Sequence, residues 1–224
     1  MRILVVEDTG DLADAMVRRL CKVGYAADWA ADGIEAEQLL RQEEYQLVVL
    51  DIMLPGIDGQ ALLTRLRQRR DPTPVLVVTA RSQVNTKVDL LDLRADDFIV
   101  KPIDFRELEA RCRTLLRRSH GMASSRIRFG SLTFDAAARK VTVDDRPIDL
   151  GSREFRLLEL FLTHLDHVLG KDELMNRLFS VDQPGAPNVI ELYVSRLRRK
   201  LEGTAVEIRT VRGLGYVAEL RAGE

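Results

Sequence analysis

Short apolar runs alternate with amphipathic segments through the first half of the chain. The runs, rich in β-branched residues, predict strands at Ile3–Val6, Tyr25–Trp29, Gln46–Leu50, Pro74–Val78 and Phe98–Val100. Apolar residues at helical spacing predict helices at 12–23, Gly33–Leu40, 60–69, 83–93 and from Asp104 to about Arg118. Buried strands that alternate with helices indicate a parallel sheet covered on both faces. Residues 1–118 are therefore predicted to form a doubly wound α/β domain.

The residues at the ends of these strands are polar and chemically compatible. Glu7 and Asp8 follow the first strand, Asp51 the third, Thr79 the fourth and Lys101 the fifth. In such sheets ligands bind outside the carboxyl ends of the strands, where the strand order reverses. Three clustered carboxylates repel unless a cation joins them, and oxygen ligands favour Mg²⁺. A carboxylate can also form an aspartyl phosphate, which requires mainly positioning and charge neutralisation.

Two other α/β functions disagree with local detail. A dinucleotide-binding or P-loop domain needs a Gly-rich turn after its first strand, but this turn is Glu7-Asp8-Thr9-Gly10. A haloacid-dehalogenase-type phosphatase normally has a second Asp two residues after the first, where this chain has Met53. Taken singly, each strand-end residue could equally be a cap or a turn residue.

Residues 1–118 resemble the receiver domain of a response regulator. The matching elements, in order and at receiver spacing, are Glu7-Asp8, Asp51 within LDIMLPGIDG, Thr79-Ala80-Arg81 and Lys101-Pro102. The resemblance implies a flavodoxin-like (βα)5 fold in which Asp51 accepts a phosphoryl group from a sensor histidine kinase. The chain itself is not expected to be an enzyme, beyond assisting phosphoryl transfer to its own aspartate and the hydrolysis that follows.

The resemblance also implies a Mg²⁺ site. Asp8 and Asp51 would bind the ion together with the backbone carbonyl of Met53, and Glu7 would assist through water. The Met53 side chain is expected to screen the phosphoryl group from attacking water. Thr9 replaces a third acidic residue that many relatives carry, which should matter little because Glu7 and Asp8 are present.

A conformational switch and a dimer are implied as well. Lys101 would contact the phosphoryl group, and Thr79 would move towards it so that Phe98 turns inward. Two receivers would then pair through the fourth and fifth predicted helices. Candidates for ion pairs across that dimer are Lys87, Asp96, Asp97 and Arg111. Arg94 stands where Gly is common, and it would carry strain if its φ is positive.

Small residues at 119–125 predict a flexible linker to a second domain at 126–224. Strand signals at Arg128–Phe129, Leu132–Phe134, Lys140–Val143 and Ile148–Leu150 indicate a small antiparallel sheet. Helices are predicted at Glu154–Leu165 and Lys171–Phe179. The second domain should therefore be of the α+β class.

The segment NVIELYVSRLRRKL, residues 188–201, predicts a helix with two distinct faces. A core-facing stripe is formed by Ile190, Val194, Leu197 and Leu201. Arg side chains on the other face could bind guanine edges or phosphates, and an exposed leucine could meet a thymine methyl. The candidate DNA contacts of this helix are Asn188, Leu192, Ser195, Arg196, Arg198 and Arg199. An ordinary surface helix with one exposed Leu is the alternative.

A β-hairpin follows this helix. Glu207–Val211 and Tyr216–Ala218 flank Arg212-Gly213-Leu214-Gly215, which places Arg212 near the tip. Residues 188–212 hold six Lys or Arg against three acidic residues. A basic helix beside an Arg-tipped hairpin indicates a winged helix, with the helix in the major groove and Arg212 in the minor groove.

Residues 126–220 resemble the winged-helix effector domain of the OmpR/PhoB family. The stretches REFRLLELF, NVIELYVSRLRRKLE and IRTVRGLGY carry the resemblance, although Gly151 replaces the usual Thr cap of the first. The implied function is a two-component transcription regulator whose phosphorylated dimer binds double-stranded promoter DNA at tandem half-sites. RNA polymerase is a further expected partner. Alternatives are a winged helix that binds protein or RNA, and a degenerate receiver that switches without phosphate.

Composition restricts the remaining possibilities. No apolar run approaches the ~18 residues of a membrane span, and the N-terminus is too quickly acidic for a signal peptide, so a cytoplasmic protein is expected. Two cysteines without Cys-x-x-Cys pairing make a disulfide framework or a zinc site improbable. With a net charge of −1, any nucleic-acid surface must be a local patch.

Overall fold

The chain forms two compact units. The computed structural model describes residues 1–80, 94–119 and 124–221. One unit comprises Arg2–Lys22 and Ala26–Gly121, and the chain from Met122 onward belongs to the other. The helix predicted at 83–93, and with it Lys87, lies outside the described residues.

The first unit is a five-stranded parallel sheet with helices between the strands. Its elements are β1 (Arg2–Val6), α1 (Gly10–Lys22), β2 (Ala26–Ala30), α2 (Gly33–Gln42), β3 (Leu47–Asp51), α3 (Gly59–Gln68), β4 (Val75–Thr79), β5 (Asp97–Val100) and α4 (Phe105–Ser119). The strand order is β2-β1-β3-β4-β5, and every pair is parallel. The predicted doubly wound, flavodoxin-like architecture is confirmed.

Strands β1, β3 and β4 lie inside the sheet and are buried along their whole length. Helices on both faces cover such strands, which is why they are apolar runs rather than alternating patterns. The strand order reverses beside β1, whose two neighbours are β2 and β3. The carboxyl ends of β1 and β3 therefore flank the position where doubly wound sheets bind ligands.

The second unit begins with a four-stranded antiparallel sheet and ends in a two-stranded hairpin. Its elements are β6 (Arg126–Phe129), β7 (Leu132–Asp135), β8 (Lys140–Val143), β9 (Arg146–Ile148), α5 (Ser152–Thr163), α6 (Lys171–Leu178), α7 (Val189–Lys200), β10 (Val206–Val211) and β11 (Gly215–Leu220). The α+β class is confirmed.

The strand predicted at Ile148–Leu150 begins earlier, at Arg146. Asp144 and Asp145 have φ of 49° and 61°, which is the backbone of a two-residue hairpin turn. This turn places Arg146 opposite Val143, so β9 starts directly after it.

Helix α7 has the predicted core stripe, since Ile190, Val194 and Leu197 are buried, and Leu201 is buried at its end. The hairpin of β10 and β11 follows. Gly215, with φ of 146°, is required at its turn because a Cβ there would lie 2.1 Å from the carbonyl oxygen of Leu169. Tyr216 in turn bridges to Leu169, which anchors β11.

Candidate functional site

Three carboxylates meet at the carboxyl edge of the parallel sheet. Glu7, Asp8 and Asp51 each offer an oxygen within 4.8 Å of the others. Glu7 and Asp51 are buried, whereas Asp8 is exposed. They come together because β1 and β3 are parallel neighbours, although the two strands are far apart along the chain. The clustering predicted from the strand ends is thus present.

Lys101 joins the two buried carboxylates. Its Nζ donates to Asp51 Oδ2 at 2.6 Å and to both oxygens of Glu7 at 2.9 and 3.0 Å. Burial raises the pKa of Glu7, and Asp51 adds to this, while Lys101 opposes it. Burial lowers the pKa of Lys101, but hydrogen bonds to Asp51 and Glu7 outweigh it, so the pKa lies above its ordinary value. The cation needed among clustered acids is therefore partly supplied by the chain.

The second oxygen of Asp51 has a partner that the sequence reasoning missed. The backbone N–H of Met53 donates to Asp51 Oδ1 at 2.9 Å. The sequence predicts functions for the carbonyl and the side chain of Met53, but none for its N–H. The Met53 side chain is 59% exposed, so it lies at the surface beside the buried aspartate.

Helix α3 begins against the backbone of strand β3, which ends in Asp51. Asp58 caps it by accepting from the N–H of Ala61 at 2.7 Å. A Cβ on Gly59 would lie 2.2 Å from the backbone oxygen of Asp51, so only glycine permits this approach. The turn residues after Asp51 thus have a structural purpose as well.

Trp29 is a second residue that the sequence reasoning did not assign to the site. Its indole Nε1 donates to the backbone carbonyl of Glu7 at 2.9 Å, and the ring lies beside Gly10. The side chain is 40% exposed. An exposed tryptophan at the end of β2 was the available signal, since β2 and β1 are adjacent. Trp29 thereby holds the turn that carries the acidic pair.

The predicted switch residues lie on neighbouring strands. Thr79 is buried at the end of β4, and its carbonyl accepts from the backbone N–H of Lys101 at 2.8 Å. Phe98 on β5 is half-buried and packs against the hydrophobic core of the unit. A cis peptide bond joins Lys101 to Pro102. Thr79 therefore ends the strand next to that of Asp51, and Phe98 lies on the strand that Lys101 follows.

The donor set of the acidic cluster fits a hard divalent cation. Glu7, Asp8 and Asp51 supply only oxygen atoms, and Mg²⁺ is typically held by one or two carboxylates with water and phosphate oxygens. Exposed Asp8 leaves one side of the cluster open to solvent.

The residues predicted to pair across a dimer are paired within this chain. Arg111 Nη1 donates to both oxygens of Asp97 at 2.7 and 2.8 Å. Asp96 accepts from Arg67 and from the N–H of Val75, both at 2.8 Å. Lys87 lies outside the described residues. Asp97 and Arg111 thus already face each other on β5 and α4.

The DNA-binding candidates of the second unit are all exposed. They are Asn188, Leu192, Ser195, Arg196, Arg198, Arg199 and Arg212. Leu192 is 48% exposed, as expected for an apolar residue on the solvent-facing side of the helix. Arg198 is distinct, because its guanidinium bonds to strand β10.

Asp51 lies at the carboxyl edge of a doubly wound sheet and is hydrogen-bonded to Lys101, and the second unit is a winged helix. Together these features define a receiver joined to a DNA-binding domain. Residues 3–113 match the family model of the response regulator receiver domain. Residues 145–218 match that of the transcriptional regulatory protein, C terminal.

Relatives align over nearly the whole chain. Transcriptional regulatory protein TctD of Salmonella typhimurium is 41% identical over 219 residues, which are 98% of this chain and 97% of TctD. Two-component response regulator PhoP of Pseudomonas aeruginosa is also 41% identical, over 97% of each chain. Response regulator MprA of Mycolicibacterium vanbaalenii is 40% identical over 223 residues, 97% of this chain and 96% of MprA.

Solved structures resemble the first unit. The receiver domain of a Francisella response regulator matches with a TM-score of 0.52 and 31% identity, covering 53% of this chain and 98% of that one. A CheY-like receiver domain from Methanospirillum hungatei matches with a TM-score of 0.51 and 28% identity, covering 54% and 96%.

The chain belongs to the OmpR/PhoB family of response regulators. It is a transcription regulator that binds DNA under the control of phosphorylation. Every helix among the described residues is too short or too polar to cross a membrane.

Proposed function

We propose that Asp51 accepts a phosphoryl group from a sensor histidine kinase, and that this promotes receiver dimerisation and promoter binding. The observation that carries the proposal is the hydrogen bond of 2.6 Å between Lys101 Nζ and Asp51 Oδ2. It holds an ammonium beside the buried carboxylate of Asp51, which is the proposed nucleophile.

The chemistry follows from this arrangement. A carboxylate oxygen of Asp51 attacks the phosphorus of a phosphohistidine, the P–N bond breaks, and the electron pair remains on the imidazole. Lys101 can follow the transferred group, because its ammonium then neutralises a phosphoryl oxygen instead of carboxylate charge. The Met53 N–H holds the other oxygen of Asp51, which fixes the direction of attack.

Mg²⁺ would be held by Asp8, Asp51 and the backbone carbonyl of Met53, with Glu7 assisting through water. When bound, it neutralises charge on the transferring phosphoryl group. Glu7 is fully buried and both its oxygens accept from Lys101, which favours an indirect role in metal binding. Trp29 supports the backbone at Glu7 and Asp8, because its indole N–H donates to the Glu7 carbonyl.

Phosphorylation would act on Thr79 and Phe98. The backbone carbonyl of Thr79 accepts a hydrogen bond from the N–H of Lys101. Movement of Lys101 towards a phosphoryl group would therefore also affect Thr79. Phe98 is only half-buried, which leaves a more buried position energetically favourable for its ring. The resulting change at β5 and α4 would alter the surface used for pairing, and so the dimer population.

The dimer would bring two winged helices to tandem half-sites with centres about 10–11 bp apart. Helix α7 would contact the major groove through Asn188, Leu192, Ser195, Arg196 and Arg199. Arg212, at the tip of the hairpin, would contact the minor groove. RNA polymerase would then be recruited or blocked at the same promoter.

DNA footprinting with and without the phosphoryl analogue beryllium fluoride tests the proposal, on the wild type and on Asp51→Ala. The wild type should extend its protection over two half-sites when the analogue is present, and Asp51→Ala should not respond. An equal response of both proteins would refute the role of Asp51. The same footprint on Arg212→Ala should show weaker protection and a lower salt dependence.

A further inference from the structure

Arg198 differs from the other arginines on helix α7. Its Nε donates to the carbonyl oxygen of Ile208 at 2.8 Å, and its Nη2 donates to Thr210 Oγ1 at 2.7 Å. The side chains of Arg196 and Arg199 make no hydrogen bond or ion pair with the residues at 1–80, 94–119 and 124–221. Of these three arginine side chains, Arg198 alone is therefore bonded to strand β10 in the described part of the chain.

The acceptors of Arg198 lie on the outer edge of the hairpin. Strand β10 pairs only with β11 in its sheet, and Ile208 is opposite Ala218. An outward carbonyl on such an edge must bond to water, another strand or a side chain. Arg198 supplies that bond for Ile208 and adds a second one to Thr210, two residues further along β10.

This pair of bonds joins two elements that meet beside an open cleft. A cleft of about 470 Å³ lies between the last turn of α7 and β10, lined in part by Arg198, Arg199 and Ile208. The planar guanidinium presents several donors in a fixed fork, so one side chain can bridge the cleft at two points. The same guanidinium lies 5.9 Å from the ring centroid of Tyr216 on β11, which adds a contact to the second strand.

We infer that Arg198 is a positioning residue that fastens the hairpin to helix α7, and that it does not contact DNA directly. The inference rests on the proposed DNA interface, in which α7 and Arg212 enter two different grooves. The spacing between the two grooves is set by the DNA, so a hairpin held at a fixed angle loses less conformational freedom on binding. This assigns a purpose to Arg198 that differs from the base or phosphate contact predicted from sequence.

The salt dependence of DNA affinity separates the two roles. Arg198→Met keeps the length of the aliphatic stem but removes the guanidinium with its charge and bonds, and Arg198→Lys keeps the charge without the fork. Both variants should bind about tenfold more weakly at one salt concentration, with a slope of log K against log[salt] equal to the wild type. A phosphate contact predicts instead that Arg198→Met lowers the slope by about 0.9 and that Lys restores binding. That result would overturn the inference.

Arg199→Met and Arg212→Met are the matched controls in the same assay. Each should lower the slope by about one, because each removes a charge proposed to lie at DNA. If neither substitution lowers the slope, the proposed DNA interface is wrong, whatever the result for Arg198→Met. If both lower the slope and Arg198→Met lowers it equally, only the positioning role is wrong.

Footprints at saturating protein provide a second readout that general destabilisation would not mimic. Arg198→Met should keep major-groove protection by α7 and lose minor-groove protection by the hairpin. Parallel loss at both grooves, with a lower melting temperature, would show a merely structural role and overturn the inference.

Thr210→Val provides a variant without any change of charge. It removes one acceptor of Arg198, so its effect on affinity should be largely contained in that of Arg198→Met. The double variant should therefore bind about as weakly as Arg198→Met alone. Additive losses would show that the two residues act independently and would overturn the inference.

Discussion

The backbone and the side chain of Met53 have different environments at the acidic site. The N–H holds Asp51 Oδ1, and any residue at 53 except proline could provide it. The side chain is mostly exposed beside a buried aspartate, and we propose that it screens an acyl phosphate on Asp51 from water. Substitutions at this position should therefore change the lifetime of the phosphorylated state without preventing its formation.

We predict that Met53→Glu or Met53→Asp speeds the decay of the Asp51 acyl phosphate by on the order of tenfold. A carboxylate there can accept a proton from an attacking water, but a mobile side chain gives less than the 10²–10⁴-fold of a positioned base. Release of phosphate from the purified phosphorylated protein measures the decay. Met53→Leu is the control and should decay as the wild type does. Identical rates in all four proteins would show that the side chain points away from the phosphoryl group.

Arg94 occupies a backbone conformation that favours glycine. Its φ is 60°, and its carbonyl accepts from Arg67 Nε at 3.1 Å. Arg67 also donates to the carbonyl oxygens of Asp71 and Thr73, so the turn is held from the side of α3. The strain suspected from the sequence is therefore present and offset by a neighbouring side chain.

We predict that Arg94→Gly raises the free energy of unfolding of the first unit by about 0.5–1 kcal/mol. Relief of a left-handed conformation contributes roughly 1–2 kcal/mol, and the greater freedom of glycine in the unfolded chain offsets part of it. Urea unfolding followed by the fluorescence of Trp29, the single tryptophan, reports this unit. Arg94→Ala retains the strain and should gain nothing. Equal stability of the two variants would contradict the prediction.

At the scale of elements, the start of α3 is packed against the end of β3. The N–H of Gly59 donates to the carbonyl of Ile52, the residue directly after Asp51, at 3.0 Å. This contact explains how a connection of seven residues, 52–58, returns the chain to the sheet beside Asp51. The position of α3 and the geometry of the acidic site should therefore change together.

We predict that Gly59→Ala destabilises the first unit by about 1–3 kcal/mol, because the new methyl group must displace the backbone of Asp51. Urea unfolding followed by Trp29 fluorescence measures the loss. Gly10→Ala is the matched control, since a Cβ there meets nothing nearer than the Trp29 ring at 3.7 Å. Similar effects of both substitutions would argue against the close approach at Gly59.

At the scale of the whole molecule, the proposed pairing surface carries ion pairs that could be exchanged between two copies. Asp97 and Arg111 bond within the chain, and Arg111 also bonds to Glu107. All three are partly exposed, so the ion pairs are weak and can be replaced at small cost. A symmetric dimer that exchanged Asp97 and Arg111 between copies would contain the same pair twice.

We predict that mixing two charge-reversed variants restores a dimer that neither forms alone. Asp97→Arg and Arg111→Asp should each remain monomeric with beryllium fluoride, because like charges would meet across the interface. A mixture should dimerise, since the heterodimer restores both cross pairs. Sedimentation velocity measures the assembly. Failure of the mixture to dimerise, with the wild type dimeric, would show that this pair acts only within one chain.

The sequence alone determined the elements and the composition of the acidic site. Strand and helix spacing depend on local periodicity, so most boundaries were predicted to within a few residues, and parallel strands bring their carboxyl ends together. Glu7, Asp51 and Lys101 could therefore be assigned to one edge before any distance was known. The shift of β9 shows the limit, because two aspartates with positive φ set that turn.

Only the tertiary structure decided which atoms are partners. Lys101 bonds to two carboxylates, Trp29 supports the carbonyl of Glu7, and Arg198 bonds to β10 while Arg199 does not. Such hydrogen bonds depend on distances between elements far apart in the chain, and no periodicity encodes them. Arg198 and Arg199 are adjacent and chemically identical, so their different environments arise only from the direction in which the folded helix presents each one.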